Sequence, residues 1–297
     1  MRETEAAPRF DHLKIGRMPV PAVAADLLLR EALRWLAATD RGQLAASVIK
    51  RIRFEDGRLA VTYQWSDQVA ARARAALVAP ADQARLRVYH DRLAVAVATA
   101  PRTISLARLK PPLFALALER GATGDPVREN RAAIVVLAMY AVGLPLDRIV
   151  PAAAQWRQPA RLVVTLDGRD DLPKHFLVSA AIAAEAGSPL ADAIGVYKEL
   201  EDSRGASGFS FSDIGADRAG TRFGENASRS PAAARQLARS LASGVEESDF
   251  MPRVSDLPDS MAAAEFERRF GGVGGPGYDK TMAAIDERVD ATPLLRR

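Results

Sequence analysis

One histidine and four carboxylates in the central part of the chain have types and spacing that could do chemistry: His175, Glu199, Asp202, Asp213 and Asp217. Glu199 and Asp202 stand three positions apart, and Asp213 and Asp217 four, so each pair shares one face of a helix. Neutral imidazole with clustered carboxylates could bind a divalent metal ion, or divide general acid and base roles. His175 falls near a helix N-terminus, where the positive dipole end favours the neutral ring.

Each residue also has a plainer reading. Asp213 fits the third helical position of a capping box opened by Ser210. Asp217 could pair with Arg204, Arg218 or Arg222, and Glu199 and Asp202 with Lys198 and Arg204. His175 could be a satisfied histidine at a helix end. Glu185, Asp192 and Glu201 look like solvent-side charge.

Three short helices must position the five candidates. Asp171 is an N-cap with Pro173 in the first turn, and the spacing predicts a helix over about 173–186. Gly187-Ser188-Pro189 stops it and starts a second helix, reaching about Ser203. After Gly205-Ala206-Ser207-Gly208, the Ser210-x-x-Asp213 box starts a third, ending near Gly224. Short connections favour antiparallel neighbours, so the path runs up, down, up. His175, Glu199, Asp202, Asp213 and Asp217 then fall at one end of a compact three-helix unit. Small residues would let the backbones approach: Ser179, Ala180, Ala183 and Ala184 on the first helix, and Gly215, Ala216, Ala219 and Gly220 on the third.

The rest of the chain reads as mainly α with a small antiparallel β element, an α+β class. Residues 1–20 form a flexible arm, 21–169 a helical region with a β-hairpin, and 170–297 a helical region carrying the polar cluster. Leu28, Leu29, Leu33 and Leu36 recur at helical spacing after Pro21. Two alternating runs within 47–65 are split by Asp56-Gly57, a hairpin signal. Further helices are expected over 66–79, 82–100, 105–120 and 126–142, the last with Asp125 as N-cap before Pro126. The β-branched run 161–166, closed by Asp167-Gly168, could pair with the hairpin as a third strand. Helices follow over 231–242, 262–270 and 278–289, with irregular chain over 244–260.

Composition narrows the function classes. The 297 residues are 48% hydrophobic and 26% charged, with net charge +4. The positive charge is dispersed, with no basic stripe or interleaved aromatics, so no nucleic-acid partner is expected. No cysteine is present, which excludes disulfides, thiolate metal sites and cysteine nucleophiles. The longest apolar run, 132–146, contains Gly143 and Pro145 and falls short of the roughly 20 residues a bilayer span needs. The first 20 residues lack a signal-peptide apolar core, so the chain is expected to be cytosolic, or to start after a removed signal or anchor. Membrane association would need an anchor absent from this chain. The glycine run 271–277 lacks the Lys-Ser/Thr that follows a phosphate loop. No Gly-x-Ser-x-Gly elbow occurs, and His12 and His90 lie in ordinary contexts. Glu199 before Gly205-Ala-Ser-Gly208 is too close for a lytic transglycosylase signature, and the Gly-Leu-Met-Gln continuation is missing.

The order His175, Lys198-Glu199 with Asp202, then Phe209-Ser210-x-x-Asp213 with Asp217 and Gly220 resembles YfiM-like bacterial envelope proteins, and more distantly the VanZ-like pattern. The motif covers about a fifth of the chain. Ile15-Gly-Arg-Met-Pro-Val-Pro21 and Phe250-Met-Pro look like a proteobacterial envelope-associated family. The resemblance implies a periplasmic or envelope location, with the cytoplasm as the alternative, and implies no particular reaction. The expectation is an envelope-associated helical protein whose His/carboxylate cluster binds a ligand, ion or partner. The alternative is a metal-assisted or acid–base hydrolase using the same residues.

Overall fold

The structure, a computed structural model, describes residues 78–186 and 208–296 in full, and the backbone of four strands before them. The chain divides into two units, Met1–Ala76 and Leu77–Arg297. The expected change of region near residue 170 falls inside the second unit. In the first unit, β1 (Leu13–Ile15) pairs antiparallel with β2 (Met18–Val20), so the expected arm carries two short strands. β3 (Ile49–Glu55) pairs antiparallel with β4 (Arg58–Tyr63) across Asp56-Gly57, as the sequence predicts, with Phe54 opposite Leu59. The helix expected around Leu28–Leu36, the helix expected over 66–79 up to its last two residues (which are not helical), and the second helix of the central trio lie outside the described residues.

The second unit is mainly helical. α1 (Pro80–Ala98) buries Leu86, Tyr89, His90, Leu93 and Val97, one stripe at helical spacing. β5 (Thr103–Ser105) follows, then α2 (Leu106–Leu109) and α3 (Pro111–Thr123). The single helix expected over 105–120 is therefore interrupted. Pro111 has no N–H to donate to Ala107, although Lys110 keeps helical backbone angles. α4 (Pro126–Ala141) starts where Asp125 accepts hydrogen bonds from Val127 and Arg128 N–H. It is buried continuously from Ala132 to Tyr140 and packs against α1 and α3, so it is the central rod of this unit.

The third strand departs from expectation. β6 (Val163–Thr165) pairs parallel with β5, Ile104 opposite Val164, and not with the hairpin. Parallel neighbours need a long crossover, and α2 to α4 supply it. After β6, Asp167 and Gly168 both adopt positive φ, 50° and 74°, and Leu166 and Arg169 exchange backbone hydrogen bonds. This tight turn delivers Arg169 toward the start of α5 (Leu172–Ala184). α6 (Phe211–Ser228) starts where Ser210 Oγ accepts from Asp213 N–H, the cap the sequence predicts, and runs a turn beyond Gly224. α7 (Pro231–Ala242), α8 (Ala263–Phe270) and α9 (Pro276–Ala291) complete the unit.

α5 and α6 run parallel and nearly touch. A Cβ added at Gly220 would overlap the carbonyl oxygen of Phe176, and one at Gly224 that of Ala180. Both chains advance by one turn in the same direction between these contacts, so the two helix starts lie at the same end.

A lysine sits inside this core. Lys110 is fully buried, its Nζ has no hydrogen-bond partner among the described residues, and it lies 2.6 Å from the centre of the Phe250 ring. Burial holds the amine far below its ordinary 10.5, opposed by the charges of Glu247 and Asp249. The ring favours a cation by about 2 kcal/mol or somewhat more, against the several kcal/mol that desolvation costs, and the net shift is down. An unfolded chain binds this proton more readily than the native one. The stability from Lys110 is therefore fully present above the unfolded amine's value and lost as pH falls toward the folded value. Lys110→Met is expected to raise the denaturation midpoint at pH 7 and flatten the rise in stability toward pH 10. A lower midpoint at pH 7 would show that the amine has a stabilising partner.

Candidate functional site

The common end of α5 and α6 carries the polar cluster. His175, in the first turn of α5, lies between two carboxylates of α6. Its Nε2 is 3.5 Å from Asp213 Oδ2, and its Nδ1 is 3.5 Å from Asp217 Oδ1. Asp213 and Asp217 share a face because they are one turn apart, and the close contact at Gly220 brings that face against α5. One turn along α5, Ser179 Oγ donates to Asp217 Oδ1 at 2.7 Å. All three charged groups are about three-quarters buried, with side-chain exposures of 25%, 20% and 26%.

Arg169 closes the other side. Its guanidinium donates to both oxygens of Asp171, to Asp259, and to Asp213 Oδ1 at 3.4 Å. Asp171 also caps α5 by accepting from Leu172 N–H. The hydrogen bonds from Arg169 hold the Asp171 carboxyl below its ordinary range against the opposing pull of burial. At Asp259, burial pushes up, but bonds from Ser210 and Arg169 outweigh it and the net shift is down. Asp213 is the exception. Burial raises its carboxyl above the ordinary value, His175 opposes that rise, and the charges of Asp171 and Asp259 add to it.

The cluster is net negative in either form of the ring, because four carboxylates face one guanidinium and one imidazole. It has two chemical capacities. It can accept a cationic group that competes with His175 and Arg169 for the carboxylates. It can also pass a proton between Asp213 and His175, because burial raises the Asp213 carboxyl and an imidazole nitrogen lies 3.5 Å from it. Ser179 is no triad nucleophile: its hydroxyl donates to Asp217 and not to the histidine.

Of the five residues predicted from sequence, the structure brings His175, Asp213 and Asp217 together; Glu199 and Asp202 lie outside the described residues. Among the described residues, no three His, Cys, Asp or Glu side chains are grouped to hold a metal ion. The reason at this cluster is geometric: Asp213 and Asp217 face different ring nitrogens, so the imidazole stands between them. Asp213 does cap its helix, and the capping role coexists with the site. Arg218 and Arg222, considered as partners for Asp217, pair with Asp286 and Asp290.

Sequence reasoning missed Arg169 and Asp259 and read Asp171 only as a cap. The Asp167-Gly168 turn carried a usable signal, because a tight reversal one residue before an N-cap returns its flanking side chain over the new helix. Asp259 carried none, since it lies in irregular chain with no period to read. No helix among the described residues is long and apolar enough to cross a membrane. No protein-family model, curated protein or solved structure matches this chain.

Proposed function

We propose that this mainly helical protein binds a cationic ligand group at the His175–Asp213–Asp217 cluster, in the bacterial envelope. The reading is carried by one observation: the His175 ring is held 3.5 Å from a carboxylate on each side within a partly exposed, net-negative cluster. A divalent ion or an organic ammonium would displace the imidazole and gain both carboxylates. The envelope location rests on the resemblance of the motif spanning His175 to Gly220, and cell fractionation tests it separately.

Acid–base hydrolysis is the second reading, favoured by the raised Asp213 carboxyl against the imidazole. Burial that raises a carboxyl is what fits it to act as a general acid, and that is the direction of the shift at Asp213. Thermal melting separates the outcomes when Mg2+, Ca2+ or butylammonium is added to the wild type and to Asp213→Asn/Asp217→Asn. Binding is expected to raise the wild-type Tm by several degrees and leave the double variant unmoved. No shift in the wild type with any of the three probes, or equal shifts in both proteins, overturns the cation reading.

A further inference from the structure

A cavity that shares no residue with the His175 cluster opens between α1, α4 and the chain over 144–161. Its volume is about 270 Å³. Leu93, Val136, Met139, Leu144 and Leu146 form apolar walls, and His90, Tyr140, Gln158 and Arg161 supply the polar groups, with Gln158 Nε2 donating to the Ala153 and Trp156 carbonyls.

Those polar groups are unequal. Tyr140 is committed: its hydroxyl donates to Ala160 O at 2.6 Å and accepts from Leu162 N–H at 3.0 Å. His90 Nε2 lies 3.0 Å from Arg157 O, and a carbonyl only accepts, so the ring proton is on Nε2 and Nδ1 is an acceptor. Burial favours the neutral ring. Arg161 is therefore the cation of this cavity. Its NH1 donates to Tyr140 O at 2.8 Å, and the guanidinium lies 5.6 Å from the Tyr140 ring, which fixes its direction. Among the described residues no carboxylate pairs with it.

An apolar chamber with one oriented, uncompensated guanidinium is complementary to an amphiphilic anion. The volume lies at the small end of ligand pockets, which limits the chain to medium length. We propose that this cavity binds a medium-chain carboxylate, its alkyl chain against Leu93, Val136 and Met139 and its carboxylate on Arg161.

Calorimetric titration of the full chain with octanoate, 1-octanol and octylammonium tests this. Octanoate is expected to bind at least tenfold tighter than octylammonium. Arg161→Met should weaken octanoate about tenfold and leave octanol unchanged, whereas Arg161→Lys should keep most of the octanoate affinity. Leu144→Trp, which fills the chamber, should abolish binding of octanoate and octanol alike. Arg161 is solvent-exposed and contributes one hydrogen bond to the fold, so its variants are expected to remain native by circular dichroism. The proposal is overturned if octanoate gives no binding heat, if octylammonium binds equally well, or if folded Arg161→Met binds octanoate as the wild type does.

Discussion

Alanine at Gly220 is expected to cost the protein about 3 kcal/mol in chemical denaturation, the upper range for forcing an extra methyl into a packed core. On an exposed helix the same change gains about 1 kcal/mol, because glycine is the poorer helix former. The sign reverses here because the new Cβ would meet the Phe176 carbonyl, backbone against backbone. A crowded side chain can change rotamer, but a carbonyl inside a helix cannot move without the helix. α5 and α6 must separate, and the Phe176–Phe223 contact, 5.3 Å between ring centres, opens with them. Gly224→Ala meets Ala180 in the same way and should act in the same direction. A Gly220→Ala protein as stable as the wild type would mean that the helices do not approach this closely.

Removal of the Glu129 carboxylate is the second large effect. This side chain is 4% exposed and accepts from Arg85 Nε at 2.9 Å, Arg120 Nε at 2.8 Å and Tyr89 Oη at 2.8 Å. It ties α1 and α3 to the first turn of α4. Glu129→Ala is expected to lose about 3–5 kcal/mol, because the buried Tyr89 hydroxyl loses its acceptor and Arg85 keeps only Asp82. Burial alone would raise the Glu129 carboxyl, but the bonds from Arg120, Arg85 and Tyr89 outweigh it and the net shift is down. A depressed carboxyl contributes stability that is present above its unfolded value and lost as pH falls through the folded value. The wild type should therefore lose stability on acidification below about pH 4.3, the ordinary glutamate value. Glu129→Gln should lose less over the same range. Equal acid slopes would remove Glu129 as their source.

The difference between Glu129 and Gly220 shows what was legible in the sequence. Gly220 stood out because it belongs to a run of small residues facing another such run, and the close pairing of α5 with α6 followed. Glu129 looked like one more charge in a helical first turn. Its partners lie on separate elements, and no local pattern connects Arg85, Tyr89 and Arg120 to it. Helix starts were readable at Asp125-Pro126 and Ser210, but not at Pro111, which fell inside a single expected helix. The pairing of Thr103–Ser105 with Val163–Thr165 was not, because three residues give no period and their partner lies beyond a helical crossover. Lys110 was hidden for a related reason. A lysine inside one expected helix over 105–120 carries no sign of burial, and only the packing of Phe250 reveals that the amine is enclosed.

The same limits apply to the site. One helical turn set Asp213 beside Asp217, and the parallel path set both beside His175. Arg169 and Asp259 arrive from a turn and an irregular segment, and they decide the electrostatics. Without Arg169, the Asp171, Asp213 and Asp259 carboxylates would repel one another at the entrance to α5 and α6.

The most direct measurement is a double-mutant cycle on His175 and Asp217, from urea denaturation of the wild type, His175→Ala, Asp217→Asn and the pair. It is best run at pH 5.5, below the ordinary imidazole range. Facing groups at 3.5 Å predict a coupling of about 0.5–1 kcal/mol that shrinks in high salt. Effects that add to within about 0.3 kcal/mol at both salt concentrations would contradict the shared cluster.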